Sequence, residues 1–589
     1  FHLVSIAFHF VFRDRAMHLF RVWAPLAERV DVKIGERASP LARREGGWWE
    51  ARVDAAGPGS DYGFVLNGDD TVLPDPRSPW QPCGVHGLSC VMDQAAFAWT
   101  DDGWRASALR DAVVYELHVG TFTAEGTFAA AEERLDYLKT LGITHVELMP
   151  VASFPGARGW GYDGVDLFAP QQTYGGPDAL KHFVNAAHAR GLAVLLDVVY
   201  NHLGPSGNYL SRFGPYFTAS HHTPWGDAVN FEDAGSDEVR RFFIDNAKMW
   251  LRDYHFDGLR LDAVHAYVDR SAVHFMEQLE VAVRALERET GRSYVVIAES
   301  DLNDPRVVTE RERGGYGLDA QWSDDFHHAL VALLTGDRSG YYADFGSMAD
   351  LAKALRDVFV YDGRYSAYRD RAHGRPVEGL PAWRFLGFAQ NHDQVGNRAK
   401  GERLNALTTP GRVKIAAALV MTSPFVPLVF QGEEWAASSP FLFFTDHEEE
   451  LGQQVSEGRK KEFAAFGWKP EEIPDPQDAA TFARSRLNWD EIAEPDHAGM
   501  LGWYRELIAL RRSSADFVCG NVTVAFSERE RWLTIRRGQF LIALSVASDR
   551  IELPVPENAE IALRSSDDIS LSGGVLILVP DSVTVLRLN

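Results

Sequence analysis

The chain has 589 residues, 46 % of them hydrophobic, and a formal charge of −24 at neutral pH. That length exceeds what one hydrophobic core organises, so about two to four domains are expected. The acidic balance argues against nucleic acid or an anionic membrane as a partner, and no stretch is long and apolar enough to span a bilayer.

Residues 1–16 are apolar with His and Arg scattered through them, and Met17 is the first methionine. They lack the basic start and small-residue cleavage site of a secretory signal. The natural start is therefore expected near Met17, with 1–18 an extension. Three cysteines, Cys83, Cys90 and Cys519, have no metal-binding spacing and read as free thiols of a reducing cytoplasm.

From 19 to 98 the pattern is all-β. Short alternating runs such as Phe20–Trp23, Val30–Lys33, Trp48–Val53 and Tyr62–Leu66 are separated by Pro, Gly and Asp turns. This predicts a small β-sandwich. The proline-rich stretch Leu73–Pro82 predicts an extended connection that wraps the next domain.

From 99 to 514 the rhythm becomes strand, loop, helix, repeated. Val113–Val119, Thr144–Pro150, Ala193–Val199, Phe256–His265, Tyr294–Ala298, Asp319–Trp322, Phe385–Ala389 and Val426–Phe430 read as strands. Helices are predicted over Phe128–Thr140, Ala179–Arg190, Glu238–Tyr254 and Ala272–Glu289. Apolar strands alternating with helices predict an α/β fold, a (β/α)8 TIM barrel whose strands are covered on both faces. Residues 515–589 return to alternating segments and predict a C-terminal β-domain. The acidic run Asp446–Leu451 reads as a solvated loop.

Polar residues punctuate the C-terminal ends of those strands, where barrel active sites are built. Asp197, Asn201 and His202 follow strand three; Arg260, Asp262 and His265 end strand four; Glu299 ends strand five. Asp324 and Asp325 follow strand six, and Asn391, His392 and Asp393 end strand seven. Each alone reads as a satisfied structural group. Their convergence on one rim points to chemistry. Retaining glycoside cleavage needs an ionised and a protonated carboxyl roughly 5–5.5 Å apart, and tips of neighbouring strands stand about 4.8 Å apart. Arg260, two residues from Asp262, keeps that carboxylate ionised as a nucleophile. Glu299 follows an apolar strand with no arginine near it in sequence, so desolvation is expected to make it the acid. Asp393 would bind sugar hydroxyls, with His202, His265 and His392 as hydrogen-bond donors. Trp160, Tyr162 and Trp322 are candidates for stacking on glucose rings.

Four segments in order, Asp197–His202, Gly258–His265, Ala298–Ser300 and Gln390–Asp393, resemble motifs of the α-amylase family of glycoside hydrolases. The resemblance implies Asp262 as nucleophile, Glu299 as general acid/base and Asp393 as transition-state stabiliser. It also implies that Arg260 holds the nucleophile ionised and that His202 and His392 bind sugar in the cleavage subsite. The likeness covers nearly the whole chain, including an isoamylase-like N-terminal sandwich. Tyr115–Phe122, Ala298–Asp304, Tyr316–His328, His392–Arg398, Gly432–Trp435 with Phe444–His447, and Glu462–Trp468 are most similar to members acting on maltooligosyltrehalose. These members hydrolyse the α-1,4 bond joining trehalose to the malto-oligosaccharide. The implied substrate contacts include Asp163, Asp324, Asp325, His327, His328, Gln394 and Asn397. Asn201 sits where some amylases ligate calcium, yet no cluster of hard oxygen ligands accompanies it, so no metal and no cofactor is expected. Glucan transfer, as in a branching enzyme, shares the fold and acids; water or sugar as acceptor depends on subsite shape. A non-catalytic glucan binder has no need of all three acids. Nothing in these features specifies an oligomer.

Overall fold

The computed structural model describes residues 17–54, 56–464, 469–519 and 521–588. The extension expected before Met17, the 465–468 end of one similar segment and the Cys519 side chain lie outside this description.

Eight parallel strands close into a barrel in sequence order: Val114–Leu117, His145–Leu148, Ala193–Val198, Gly258–Leu261, Val295–Ala298, Ala320–Trp322, Phe385–Phe388 and Val426–Phe430. Their runs of Val, Leu, Ile and Phe are buried on both faces, by helices outside and by side chains inside. Register brings the charged exceptions together. Glu116 of strand one pairs with Glu147 of strand two, and Asp197 of strand three with Arg260 of strand four. The barrel interior is therefore polar directly beneath its C-terminal rim.

Two antiparallel sheets precede the barrel, one built on Met17–Trp23 and Trp48–Asp54, the other on Val30–Ile34 and Asp61–Leu66. They dock through Trp23, whose ring lies 5.3 Å from that of Tyr216. The proline-rich connection lies along the barrel domain, where Arg77 pairs with Asp245 at 2.9 Å and Trp80 Nε1 donates to Gln172. After the barrel, Val522–Ser527, Trp532–Arg537, Phe540–Ser545, Ala559–Arg564 and Ser582–Leu588 form a five-stranded sheet. In Trp532–Arg537 the inward Leu533 and Ile535 are buried while Arg536 faces water, the period-two pattern of a strand. Cys83 and Cys90 are free thiols. Among the described residues, no helix is long and apolar enough to cross a membrane.

Two local expectations change. The helix expected over 128–140 is two, Phe128–Glu132 and Leu135–Leu141, because the backbone tightens at Glu133 and Arg134, with ψ of −18° and −3°. The acidic run is not a free loop. Asp446 pairs with Arg158 at 2.8 Å, and Glu449 and Glu450 open helix Glu449–Ala464, where their charge meets the positive helix end.

A buried clamp ties the segment entering the barrel to its wall. His188 bridges Asp101 at 2.7 Å and Asp257 at 3.0 Å, Trp104 stacks on its ring, and Asp101 also meets His255 and Arg292. Burial opposes the His188 charge, but the two carboxylates outweigh it and raise its pKa. Burial likewise opposes the Asp101 charge, and its His and Arg partners outweigh that to hold it low. A raised histidine stabilises fully below its unfolded pKa of about 6.5 and loses that contribution as pH rises through its folded value. A depressed aspartate stabilises above its unfolded pKa of about 3.9 and loses that contribution as pH falls through its folded value. His188→Gln is expected to destabilise by about 3–5 kcal/mol. The loss should be greatest between about pH 4 and 6.5 and shrink toward alkaline pH. Tm against pH for both proteins checks this; a pH-independent difference would remove the charged clamp from the account.

Candidate active site

Strand four carries the centre of the site. Arg260 is completely buried, and its Nη1 donates to Asp197 Oδ2 at 2.8 Å and to Asp262 Oδ1 at 2.9 Å. Its Nη2 lies 2.8 Å from Glu299 Oε2, and the Trp322 ring supports the guanidinium from 4.2 Å. Burial opposes the Arg260 charge, yet Asp197, Glu299 and their neighbours outweigh it and raise its pKa further. One cation thus holds three carboxylates. Asp262 and Glu299 each stand one residue beyond paired positions, Leu261 and Ala298, of adjacent strands. They therefore emerge side by side at the rim.

After Asp262 the chain turns sharply. Ala263 takes a left-handed conformation at φ 40°, and its N–H donates to Glu299 Oε2 at 2.9 Å. A non-glycine residue in that region is an observed strain of the kind that gathers at functional sites. The acid role expected of Glu299 assumed a carboxyl with no arginine beside it, and the fold places one there. Arg260 is remote in sequence but adjacent across the strand pair.

A second chain of contacts supports the wall. Glu116 Oε1 lies 2.5 Å from His392 Nδ1, His392 Nε2 lies 2.7 Å from the Tyr162 hydroxyl, and that hydroxyl donates to Asp197 Oδ2 at 2.5 Å. Burial opposes a charge on His392, but Glu116 and Asp393 outweigh it and push its pKa up to about 9. As an imidazolium it donates from both nitrogens, which fixes the direction of the chain toward Asp197. Burial pushes Asp197 up to about 7 despite Arg260. Burial also raises Asp393, opposed by His392. His202, held neutral by burial, is lowered to about 4.

These groups floor a cleft of about 380 Å³ lined by Trp160, Tyr162, Asp163, His202, Trp225, Asp262, Ala263, His265, Glu299, Asp393, Asn397, Phe443 and Thr445. The structure thus brings together nine of the expected site residues: Trp160, Tyr162, Asp163, His202, Asp262, His265, Glu299, Asp393 and Asn397. Asn397 Nδ2 donates to Asp393 Oδ1 at 3.1 Å, and Asp163 faces His447 at 3.4 Å. Arg260 and His392 act from beneath the floor, both essentially without exposure.

Several expected contacts are corrected. Trp322 is 1 % exposed and packs under Arg260, so its face is not available to a sugar. Asp325 turns away and accepts from Asn303 Nδ2, Val360 N and Tyr361 N, fastening a neighbouring loop. His327 is consumed by Ala389 O and the Tyr342 hydroxyl, and His328 is buried against Tyr341 and Phe345. The reason is helical geometry. Helix Asp324–Thr335 begins immediately after strand six, and its successive side chains fan around the axis rather than into the cleft. Asp324 stays in the electrostatic neighbourhood of Glu299; burial first, then the Glu299 charge, raises its pKa well above the usual range. Gln394 is half-buried behind the cleft, its N–H donating to Asn391.

Sequence reasoning missed four groups that matter. Trp225 sits at the tip of the hairpin Phe217–Thr223 and Gly226–Val229, 47 % exposed, with its ring 4.7 Å from His202 and nearly parallel at 8°. Its signal was an aromatic inside a Pro-Trp-Gly turn. Phe443 was hidden in an apolar run. Glu116 and Glu147 were the lone charged residues of otherwise apolar strands; Glu147 is buried with both carboxyl oxygens unpartnered, and burial holds its pKa well above the usual range.

Residues 96–222 match the family described as alpha amylase, catalytic domain, and residues 11–80 match carbohydrate-binding module 48 (isoamylase N-terminal domain). A Rhizobium protein named malto-oligosyltrehalose trehalohydrolase is 48 % identical over 580 residues, covering 96 % of this chain and 97 % of that relative. A Mycobacterium tuberculosis protein of the same name is 50 % identical over 555 residues, covering 93 % and 95 %. A crystal structure from Salmonella typhimurium superposes with a TM-score of 0.89 at 38 % identity, covering 97 % and 98 %. Likeness of this extent spans the sandwich, barrel and terminal sheet together, so the chain belongs to the malto-oligosyltrehalose trehalohydrolases of the α-amylase family.

Proposed function

We propose that this protein hydrolyses the α-1,4 bond next to the terminal trehalose of maltooligosyltrehalose, releasing trehalose and a malto-oligosaccharide by a retaining double displacement. The observation that carries the reading is the pair Asp262 and Glu299, both within 3 Å of one buried guanidinium, on the floor of a cleft that also holds Asp393. Asp262 attacks the anomeric carbon while Glu299 passes a proton to the departing trehalose oxygen, so the C–O bond breaks as the glucosyl ester forms. Glu299 then takes a proton from water, which attacks the same carbon and returns Asp262 as a carboxylate. Arg260 and the Ala263 N–H both hold Glu299 through Oε2, so Oε1 is the oxygen that carries the proton in the acid role. Asp393, beside the His392 imidazolium, binds hydroxyls of the distorted ring. The Glu116–His392–Tyr162 chain keeps that wall rigid.

Trp225, stacked on His202 at the open side of the cleft, supplies a flat face for a glucose ring. Trp225→Ala is expected to raise KM roughly 5–10-fold with kcat within about 2-fold, the signature of binding shared by ground and transition states. A fall in kcat with KM unchanged would place Trp225 in the chemical step instead.

The function itself is tested by product analysis on two substrates of equal length, one ending in trehalose and one a plain malto-oligosaccharide. Free trehalose from the first with little cleavage of the second is the expected result. Equal attack on both would demote the reading to a general amylase, and longer branched products would make the protein a transferase.

A further inference from the structure

Away from the catalytic cleft, a cavity of about 880 Å³ opens between helix Met348–Asp357, the segment 376–383 and strand Val522–Ser527 of the terminal sheet. It lies near the upper end of the roughly 300–1,000 Å³ usual for ligand sites. None of the groups assigned to catalysis lines it.

Its wall is electrically balanced. Lys353, Arg356, Asp357 and Asp362 are its charged residues. Lys353 pairs with Asp362 at 2.6 Å and with Asp357 at 3.4 Å, and Arg356 pairs with Asp357 at 3.0 Å. Each cation already has a carboxylate, so the site has no surplus charge for a phosphate or a carboxylate ligand. The half-buried Trp383 and several prolines and aliphatic residues supply apolar faces beside these polar groups. Apolar ring faces edged with hydroxyls are what an uncharged sugar presents.

The lip of the cavity is strained. Val358, a lining residue, has φ 71° and ψ −57°, and Phe359 N donates to Asp357 O at 2.9 Å. This is a γ-turn with positive φ, rare for any residue and costliest for a β-branched one. The surroundings impose it: Asp325 Oδ2 accepts from Val360 N at 2.6 Å and Tyr361 N at 2.8 Å, and Asn303 Nδ2 holds the same oxygen at 2.8 Å. Strain over-determined in this way gathers at ligand sites.

We propose that this cavity is a second docking site, separate from the catalytic cleft, for a neutral malto-oligosaccharide. The uncharged, polyhydroxylated character of the occupant follows from the wall; that it is a glucan rests on the function proposed above. Hydrogen exchange on the Glu299→Gln protein, with and without maltoheptaose, tests it. Slowed exchange is expected in 353–362 and 376–383 as well as around the catalytic rim at 262–265. Trp383→Ala in the same background should weaken the first effect at least 10-fold in maltoheptaose concentration and leave the second in place. Protection confined to the catalytic rim overturns the second site while the proposed function stands. Protection at neither place likewise overturns the second site, while the function is decided separately by the product analysis on the trehalose-ended substrate. If Trp383→Ala does not fold, the comparison on Glu299→Gln alone still decides between these outcomes.

Discussion

Glu299→Gln is expected to lower kcat by about 10²–10⁴-fold, the usual contribution of a positioned acid/base, with KM changed by no more than about 3-fold. The amide has nearly the same shape and keeps an oxygen for the Ala263 N–H, 2.9 Å away in the parent protein. What it lacks is a proton to give. A substrate with a leaving group that needs little protonation, such as a glucosyl fluoride, should therefore recover much of the lost rate in the first step. Steady-state kinetics on both substrates checks this. An unchanged kcat would remove the acid role from Glu299, and an equal loss on both substrates would indicate a positional defect.

Asp262→Ala is expected to lower turnover on the order of 10⁴-fold, because the carbon that should receive a carboxylate oxygen finds none. Folding should persist, since Arg260 keeps Asp197 at 2.8 Å and Glu299 at 2.8 Å as partners. A ring-fluorinated glucosyl substrate that traps the ester should add one fluoroglucosyl mass to the parent protein and none to the variant. Intact-mass measurement reads this directly. An adduct that still forms in Asp262→Ala would assign the nucleophile elsewhere, and the neighbouring carboxyls Asp324 and Asp393 would then need examination by the same trapping.

The strands of the barrel and the acids at their tips follow from the local amino-acid pattern. Continuous apolar runs such as Ala193–Leu196 can be buried only between two layers, and a charged residue ending such a run must leave at the rim. Asp262, Glu299 and Asp393 were legible for that reason, and so was Arg260 beside Asp262. What each polar group faces is set instead by how the strands and loops pack together. Arg260 reaches Glu299 because strands four and five lie in register, a relation between segments that no local pattern encodes. Trp322 went beneath the guanidinium rather than toward solvent, and Asp325 was spent on the loop at 360–361. Both follow from the direction in which a short strand hands over to a helix. Trp225 arrives over the cleft from a hairpin outside every motif, and its place is set by where that hairpin folds back onto His202. Local periodicity specifies burial, one residue at a time. A site is a set of distances between residues far apart in the chain, and those distances exist only once the barrel has closed.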